Sequence, residues 1–217
     1  MTRVKVCGIT RVEDARAAVA CGASAVGLVF WPESPRAVTP ERARSIAEIL
    51  PPFVTMVGVF VDEAPSRIEA LAGALRLGAV QLHGSEDDVA IERLVRRHRV
   101  IRAIGLGASV GGDGWWRLVR SDVTLLVDAD DPVRKGGTGR RANWDAAAEA
   151  ARERPLILSG GLTADSVGEA IRQVRPFAVD VSSGVEREPG VKDPVRLAAF
   201  FEAVRNHDRE RHDQARR

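Results

Sequence analysis

The residues of this chain that could do chemistry are few and widely spaced. Cys7 is a thiol followed at once by Gly8. A thiol can serve as nucleophile or base, and it is also a common small buried hydrophobe. Asp128 is a lone carboxylate closing an apolar run, able to move a proton or simply to cap the next turn. Arg36 stands behind Ser34-Pro35, which restrains its loop, and its planar fork suits a carboxylate. Two glycine turns, Ser159-Gly160-Gly161 and Ser183-Gly184, would let backbone N–H groups approach an anion, as a phosphate site requires. His83 is open to two readings, contact with a ligand or a hydrogen bond within a rim. Asp180 is likewise open, as a ligand contact or as an organiser of the Ser182–Gly184 turn.

Other patterns carry less. Gly105-Leu-Gly107-Ala-Ser-Val110 lacks the third glycine of a dinucleotide fingerprint. Gly136-Gly-Thr-Gly139 is followed by Arg140-Arg141 rather than Lys-Ser/Thr, so it is no P-loop. The stretch Asp130–Arg141 reads as a lid, since long loops in compact folds are often functional. The four histidines include no HExxH pair, and Cys7 with Cys21 makes neither a disulfide framework nor a complete zinc site. No metal and no cofactor is implied, and Cys21 reads as packing.

Eight short β-branched runs would have to position these residues: Val4–Cys7, Ala25–Phe30, Val54–Val61, Ala79–Leu82, Val100–Ile104, Val123–Val127, Leu156–Leu158 and Ala178–Val181. They are nearly all-apolar, as parallel strands buried on both faces are. Between them lie helical patterns such as Ala43/Ile46/Ala47/Leu50, Ile68/Leu71/Ala72/Leu75 and Val167/Ala170/Ile171/Val174. Thr39-Pro40 and Asp193-Pro194 each place a capping side chain before a proline at the first helical position. Ser85 ahead of Glu86-Asp87-Asp88 suits another helix start. Asp113–Arg120 leaves room for only about two turns of a fifth helix.

A repeat of about 27 residues fits a minimal βα unit. Strict alternation allows a closed barrel or an open doubly wound sheet. Eight units, with no dinucleotide fingerprint after the first, favour a single-domain (β/α)8 TIM barrel over residues 1–204, with 205–217 as a charged extension. Such barrels keep their chemistry at the C-terminal ends of the strands, with phosphate often bound after strands seven and eight. Cys7, Arg36, His83, Asp128 and both glycine turns fall at that end, while Asp180 lies within the eighth strand.

Composition bounds the rest. Hydrophobic residues make up 45% and charged residues 29%, the balance of an ordinary soluble protein. No apolar run approaches a membrane span, and no leader is read at the N-terminus, so a cytoplasmic location is expected. The 205–217 segment carries five arginines against three acids and so accounts for the whole net charge of +2. The neutral body does not look like a nucleic-acid binder.

With these residues in place, the chain resembles the phosphoribosylanthranilate isomerase family over nearly its whole length. The likeness is carried by Val4-Lys-Val-Cys-Gly-Ile-Thr10, Gly27-Leu-Val-Phe30 with Ser34-Pro-Arg36, Val57-Gly-Val-Phe60 and Val80-Gln-Leu-His-Gly84. It continues through Leu126-Val-Asp128, Gly136-Gly-Thr-Gly139, Leu158-Ser-Gly-Gly-Leu162, Val179-Asp-Val-Ser-Ser-Gly-Val185 and Pro189-Gly-Val-Lys-Asp193. The chain departs from the family pattern at Ala142-Asn143-Trp144, where Phe-Asp usually precedes the Trp, and Gly111–Trp116 has no counterpart.

The resemblance implies an Amadori rearrangement of N-(5'-phosphoribosyl)anthranilate to 1-(2-carboxyphenylamino)-1-deoxyribulose 5-phosphate. It implies Cys7 as general base, Asp128 as general acid, Arg36 on the anthranilate carboxylate, and the Gly160-Gly161 and Ser183-Gly184 backbones on phosphate. The partner would be that small phosphosugar alone, with no nucleic acid and no membrane, bound by a monomer or homodimer. Asp128 would need a raised pKa to hold its proton, and Cys7 a lowered one, from a nearby cation or converging N–H groups. Two rivals stand beside this reading. One is the related aminoaldose isomerase of histidine biosynthesis, which carries an aspartate where Cys7 stands and pairs its phosphate turns. The other is a non-catalytic phosphosugar-binding barrel, which has no need of both Cys7 and Asp128.

Overall fold

The computed structural model describes residues 1–106, 114–128 and 143–214. Eight parallel strands close on themselves: β1 (Arg3–Val6), β2 (Ala25–Val29), β3 (Thr55–Phe60), β4 (Ala79–Leu82), β5 (Val100–Gly105), β6 (Thr124–Asp128), β7 (Leu156–Leu158) and β8 (Ala178–Val181). β1 pairs with β2 on one side and β8 on the other, parallel in both cases, which completes the cylinder. The expected (β/α)8 barrel is the observed one. All eight apolar runs are strands, with ends displaced by a residue or two.

Side chains alternate across each strand, so one set fills the cylinder and the other meets the helices. Val57, Ala79, Ile101, Leu126, Ile157 and Ala178 pack together inside. Cys7, Val29 and Val59 form a second interior group nearer the mouth, with Trp31 against it. Val4, Val6, Val26, Leu28, Phe60, Val80 and Leu82 belong instead to the large core shared with the helices. Interior parity thus lifts Cys7, His83, Asp128 and Asp180 toward one common space.

The helices are α1 (Val12–Cys21), α2 (Pro40–Ala47), α3 (Pro65–Leu75), α4 (Asp88–Val95), α5 (Trp144–Glu153), α6 (Ala164–Val174) and α7 (Pro194–Gln214). Thr39 accepts from the Arg42 N–H at 3.2 Å, and Asp193 from Val195 and Arg196 at 2.8 and 3.1 Å, as their prolines imply. Asn143 caps α5 by accepting from the Ala146 N–H at 3.2 Å. The departure from Asp at that position therefore keeps a competent cap.

Three details add to or differ from expectation. Asp87 caps α4, accepting from the Ala90 N–H at 2.8 Å; Glu86 turns the other way, onto the Gly84 N–H and Arg102. Between β5 and β6 the described residues hold a single 3-10 turn, Trp115–Leu118. The Arg154 guanidinium pins it by donating to the carbonyls of Trp116, Val119, Arg120 and Val123. A small hairpin, β9 (Glu186–Glu188) with β10 (Val191–Lys192), follows β8 and was not foreseen.

The expected boundary after residue 204 falls inside α7, where His207 and Asp208 are buried. Asp208 accepts from the Thr2 N–H at 2.7 Å and so ties α7 to the start of β1. The Asp130–Arg141 lid and the Gly136–Gly139 motif lie outside the described residues, as does most of Gly105–Val110. Among the described residues no helix is long and apolar enough to cross a membrane.

Candidate active site

Asp128 is the last residue of β6 and is 5% exposed. His83, just beyond β4, sets its Nε2 3.5 Å from Asp128 Oδ2. Its other nitrogen, Nδ1, meets Gln81 Nε2 at 3.0 Å. An amide nitrogen can only donate, so with this amide orientation Nδ1 accepts, and Nε2 is the ring nitrogen that faces Asp128. The structure thus gives His83 a partner within the rim. Gln81 is buried with its Oε1 unbonded among the described residues.

Cys7 follows β1 on the opposite wall, its backbone N–H donating to the Val181 carbonyl at 2.8 Å. Two places before it on the same strand face is Lys5, whose Nζ lies 2.9 Å from Asp180 Oδ1 with both side chains buried. Asp180 is the register partner of Lys5 across the β1–β8 seam. Burial pushes the Cys7 thiol above its ordinary range; Lys5 draws it down, Asp180 raises it further and Lys192 opposes. The expected net lowering is therefore not met. Nearby cations are present, but desolvation of a charged sulfur outweighs them here.

Arg36 reaches from the loop after β2 to Glu186 on β9. Its Nε donates to Oε1 at 3.0 Å and its Nη2 to Oε2 at 2.7 Å. Lys192 on β10 is almost fully buried and donates through Nζ to Glu186 Oε1 at 2.7 Å. Burial would raise the Glu186 carboxyl, but Arg36 and Lys192 together hold it below its usual range. Burial draws Lys192 below the lysine range against the pull of Glu186. Two cations on one anion leave this cluster net positive.

The glycine turns are built as such. Gly160 and Gly161 both have positive φ, 89° and 63°, which side-chain-bearing residues rarely adopt. At Gly184 an added Cβ would sit 1.9 Å from the Leu162 carbonyl oxygen. The two turns therefore touch with no room for a side chain between them.

One cavity of about 670 Å³, counting the part open to solvent, unites these parts. Cys7, Arg36, His83 and Asp128 line it, as do Gly160, Gly161, Asp180, Ser183 and Gly184. Among the described residues, the structure thus brings together every candidate site residue named from sequence. Sequence reasoning missed Lys5, Gln81, Glu186 and Lys192. For Lys5 and Gln81 a signal existed: each is a polar residue at an inward position two places before a candidate on the same strand. For Glu186 and Lys192 none did, because their pairing depends on an unforeseen hairpin.

Comparison with known proteins agrees along the whole barrel. The family model described as N-(5'phosphoribosyl)anthranilate (PRA) isomerase matches residues 4–203. A protein of Geotalea uraniireducens named N-(5'-phosphoribosyl)anthranilate isomerase is 47% identical over 206 residues, covering 94% of this chain and 99% of that one. The crystal structure of phosphoribosyl anthranilate isomerase from Thermotoga maritima superposes with a TM-score of 0.86 at 44% identity, covering 95% of this chain and all of that one. A further structure, of the same enzyme in complex with reduced 1-(o-carboxyphenylamino)-1-deoxyribulose 5-phosphate, gives 0.83 at 43% identity with the same coverage.

Proposed function

The chain belongs to the N-(5'-phosphoribosyl)anthranilate isomerase family, and from that premise we propose how its own residues divide the reaction. The activity is the aldose–ketose isomerisation of N-(5'-phosphoribosyl)anthranilate to 1-(2-carboxyphenylamino)-1-deoxyribulose 5-phosphate, a step of tryptophan biosynthesis. The observation that carries the division is the shared cavity, which has a carboxyl on one wall and a thiol on the other.

In this reading Asp128, protonated, gives its proton to the furanose ring oxygen, and the ring opens to an iminium. The cationic nitrogen acidifies the C2–H bond, so no Lewis acid is needed. Cys7 then takes the C2 proton, and the enolamine tautomerises to the ketone. His83 holds the Asp128 carboxyl in place. Arg36, steadied by Glu186, takes the anthranilate carboxylate on Nη1. The turns at Gly160-Gly161 and Ser183-Gly184 take the phosphate, where N–H groups converge without side chains in the way. Asp180 serves the site through Lys5 and borders the bound sugar. Two unpaired cysteines suit a reducing compartment, and the cytosol is our assignment.

The test is turnover. Incubating the aminoaldose with the purified chain should change the anthranilate fluorescence at a rate proportional to protein. A chain that binds the reduced product analogue without any such change would be a phosphosugar-binding barrel instead.

A further inference from the structure

Lys5 is a buried ammonium to which the reading above assigns no step of the reaction. It is 3% exposed, and a lone charge so placed would be strongly disfavoured. Asp180 supplies the counter-charge at 2.9 Å from the neighbouring strand. Burial alone would neutralise the lysine, but Asp180 and Cys7 together hold it charged, above its ordinary range.

The sulfur shares its space. A Cβ built at Gly27, on β2, would lie 2.7 Å from Cys7 Sγ and 3.2 Å from Lys5 Cε. The bare glycine therefore leaves one pocket in which the sulfur and the lysine stem sit together. The charged groups bearing on Cys7 are Lys5 from β1, Asp180 from β8 and Lys192 from β10. The Lys192 ammonium is already engaged by the Cys7 and Ser182 carbonyls and by Glu186. Among the described residues Lys5, held by Asp180, is thus the cation that bears most strongly on a charge on sulfur. The opposing charge of Asp180 acts on Cys7 more weakly than the charge of Lys5.

We propose that Lys5 is a positioning residue for the base: an ammonium fixed by Asp180 beneath the Cys7 sulfur, where it stabilises the thiolate. Lys5 keeps its own protons throughout; the proton from C2 goes to sulfur, and the ammonium favours its later departure. The inference rests on Cys7 as the base.

The experiment reads the thiol directly. In a Cys21→Ser background Cys7 is the sole thiol, and its alkylation by iodoacetamide is followed against pH beside the thiolate absorbance. Lys5→Met should move the midpoint upward, slowing alkylation about tenfold at a fixed pH below both midpoints, the change that one pH unit gives. Because Lys5→Met strands the Asp180 carboxylate, the paired Lys5→Met/Asp180→Asn variant is measured too, with circular dichroism to show that each is folded. A smaller upward shift in the paired variant is expected. A midpoint in that folded variant equal to the parent's overturns the inference. Failure of the base assignment looks different: Cys7→Ala would keep its turnover while the midpoints still moved.

Discussion

Lys192 Nζ stands 2.6 Å from the backbone carbonyl oxygen of Cys7. The same ammonium donates to the Ser182 carbonyl at 3.3 Å and to Glu186 at 2.7 Å. One buried cation therefore ties the backbone of the proposed base to the loop carrying the proposed phosphate turn. Through Glu186 it also steadies the arginine assigned to the anthranilate carboxylate.

Removing that cation should be costly. Lys192→Met leaves two carbonyls and part of a buried carboxylate without their donor, and loss of one partner of a buried pair costs about 3–5 kcal/mol. Urea unfolding should show a loss near the lower end, since Arg36 still answers Glu186. A loss below about 0.5 kcal/mol, the range of ordinary surface changes, would mean that the network does not hold the site together.

Arg36 should resist conservative replacement. A lysine cannot grip Glu186 through two nitrogens and still face a carboxylate. Arg36→Lys is expected to raise KM about tenfold or more, a loss of about 1.4 kcal/mol of binding, with kcat changed less. Steady-state kinetics on the aminoaldose will show the split, and an unchanged KM would remove Arg36 from the substrate.

Glu186 should make stability depend on acid. Its carboxyl is held below the ordinary range in the folded state, so its contribution is complete above the unfolded pKa. That contribution is lost as the pH falls through the lower, folded value. Melting temperatures taken stepwise below pH 5 should therefore fall more steeply for the native chain than for Glu186→Gln. Parallel curves would show that the pairing with Arg36 and Lys192 contributes little.

Gly184→Ala should damage the proposed phosphate turn. The new methyl would meet the Leu162 carbonyl oxygen at 1.9 Å, so one of the two turns must move. Overpacking of this kind costs about 1–3 kcal/mol. Inhibition by inorganic phosphate should weaken in step, and calorimetry with phosphate will report whether it does.

Much of this was legible in the sequence. The barrel could be counted because buried parallel strands are written as short β-branched runs, and its helix starts because caps are local. Cys7 and Asp128 could be placed because strand ends in a barrel share one mouth. What could not be read is what depends on contacts between distant segments. Arg36 is 150 positions from Glu186, and Cys7 is 185 from Lys192. The hairpin that carries those partners is five residues of strand around Gly190, too short to show a period. The balance at Cys7 was hidden for a related reason: cations could be expected, but how completely the thiol is buried is a property of the closed cylinder.

The division of labour is tested most directly by two single substitutions, Cys7→Ala and Asp128→Asn, each assayed for kcat and for affinity toward the reduced product analogue. Positioned acid–base groups contribute about 10²–10⁴-fold each, so kcat should fall by that much in both variants while the analogue still binds within a few-fold of native. A folded Cys7→Ala or Asp128→Asn chain that binds the analogue and turns over at a near-native rate would contradict the assignment of base and acid.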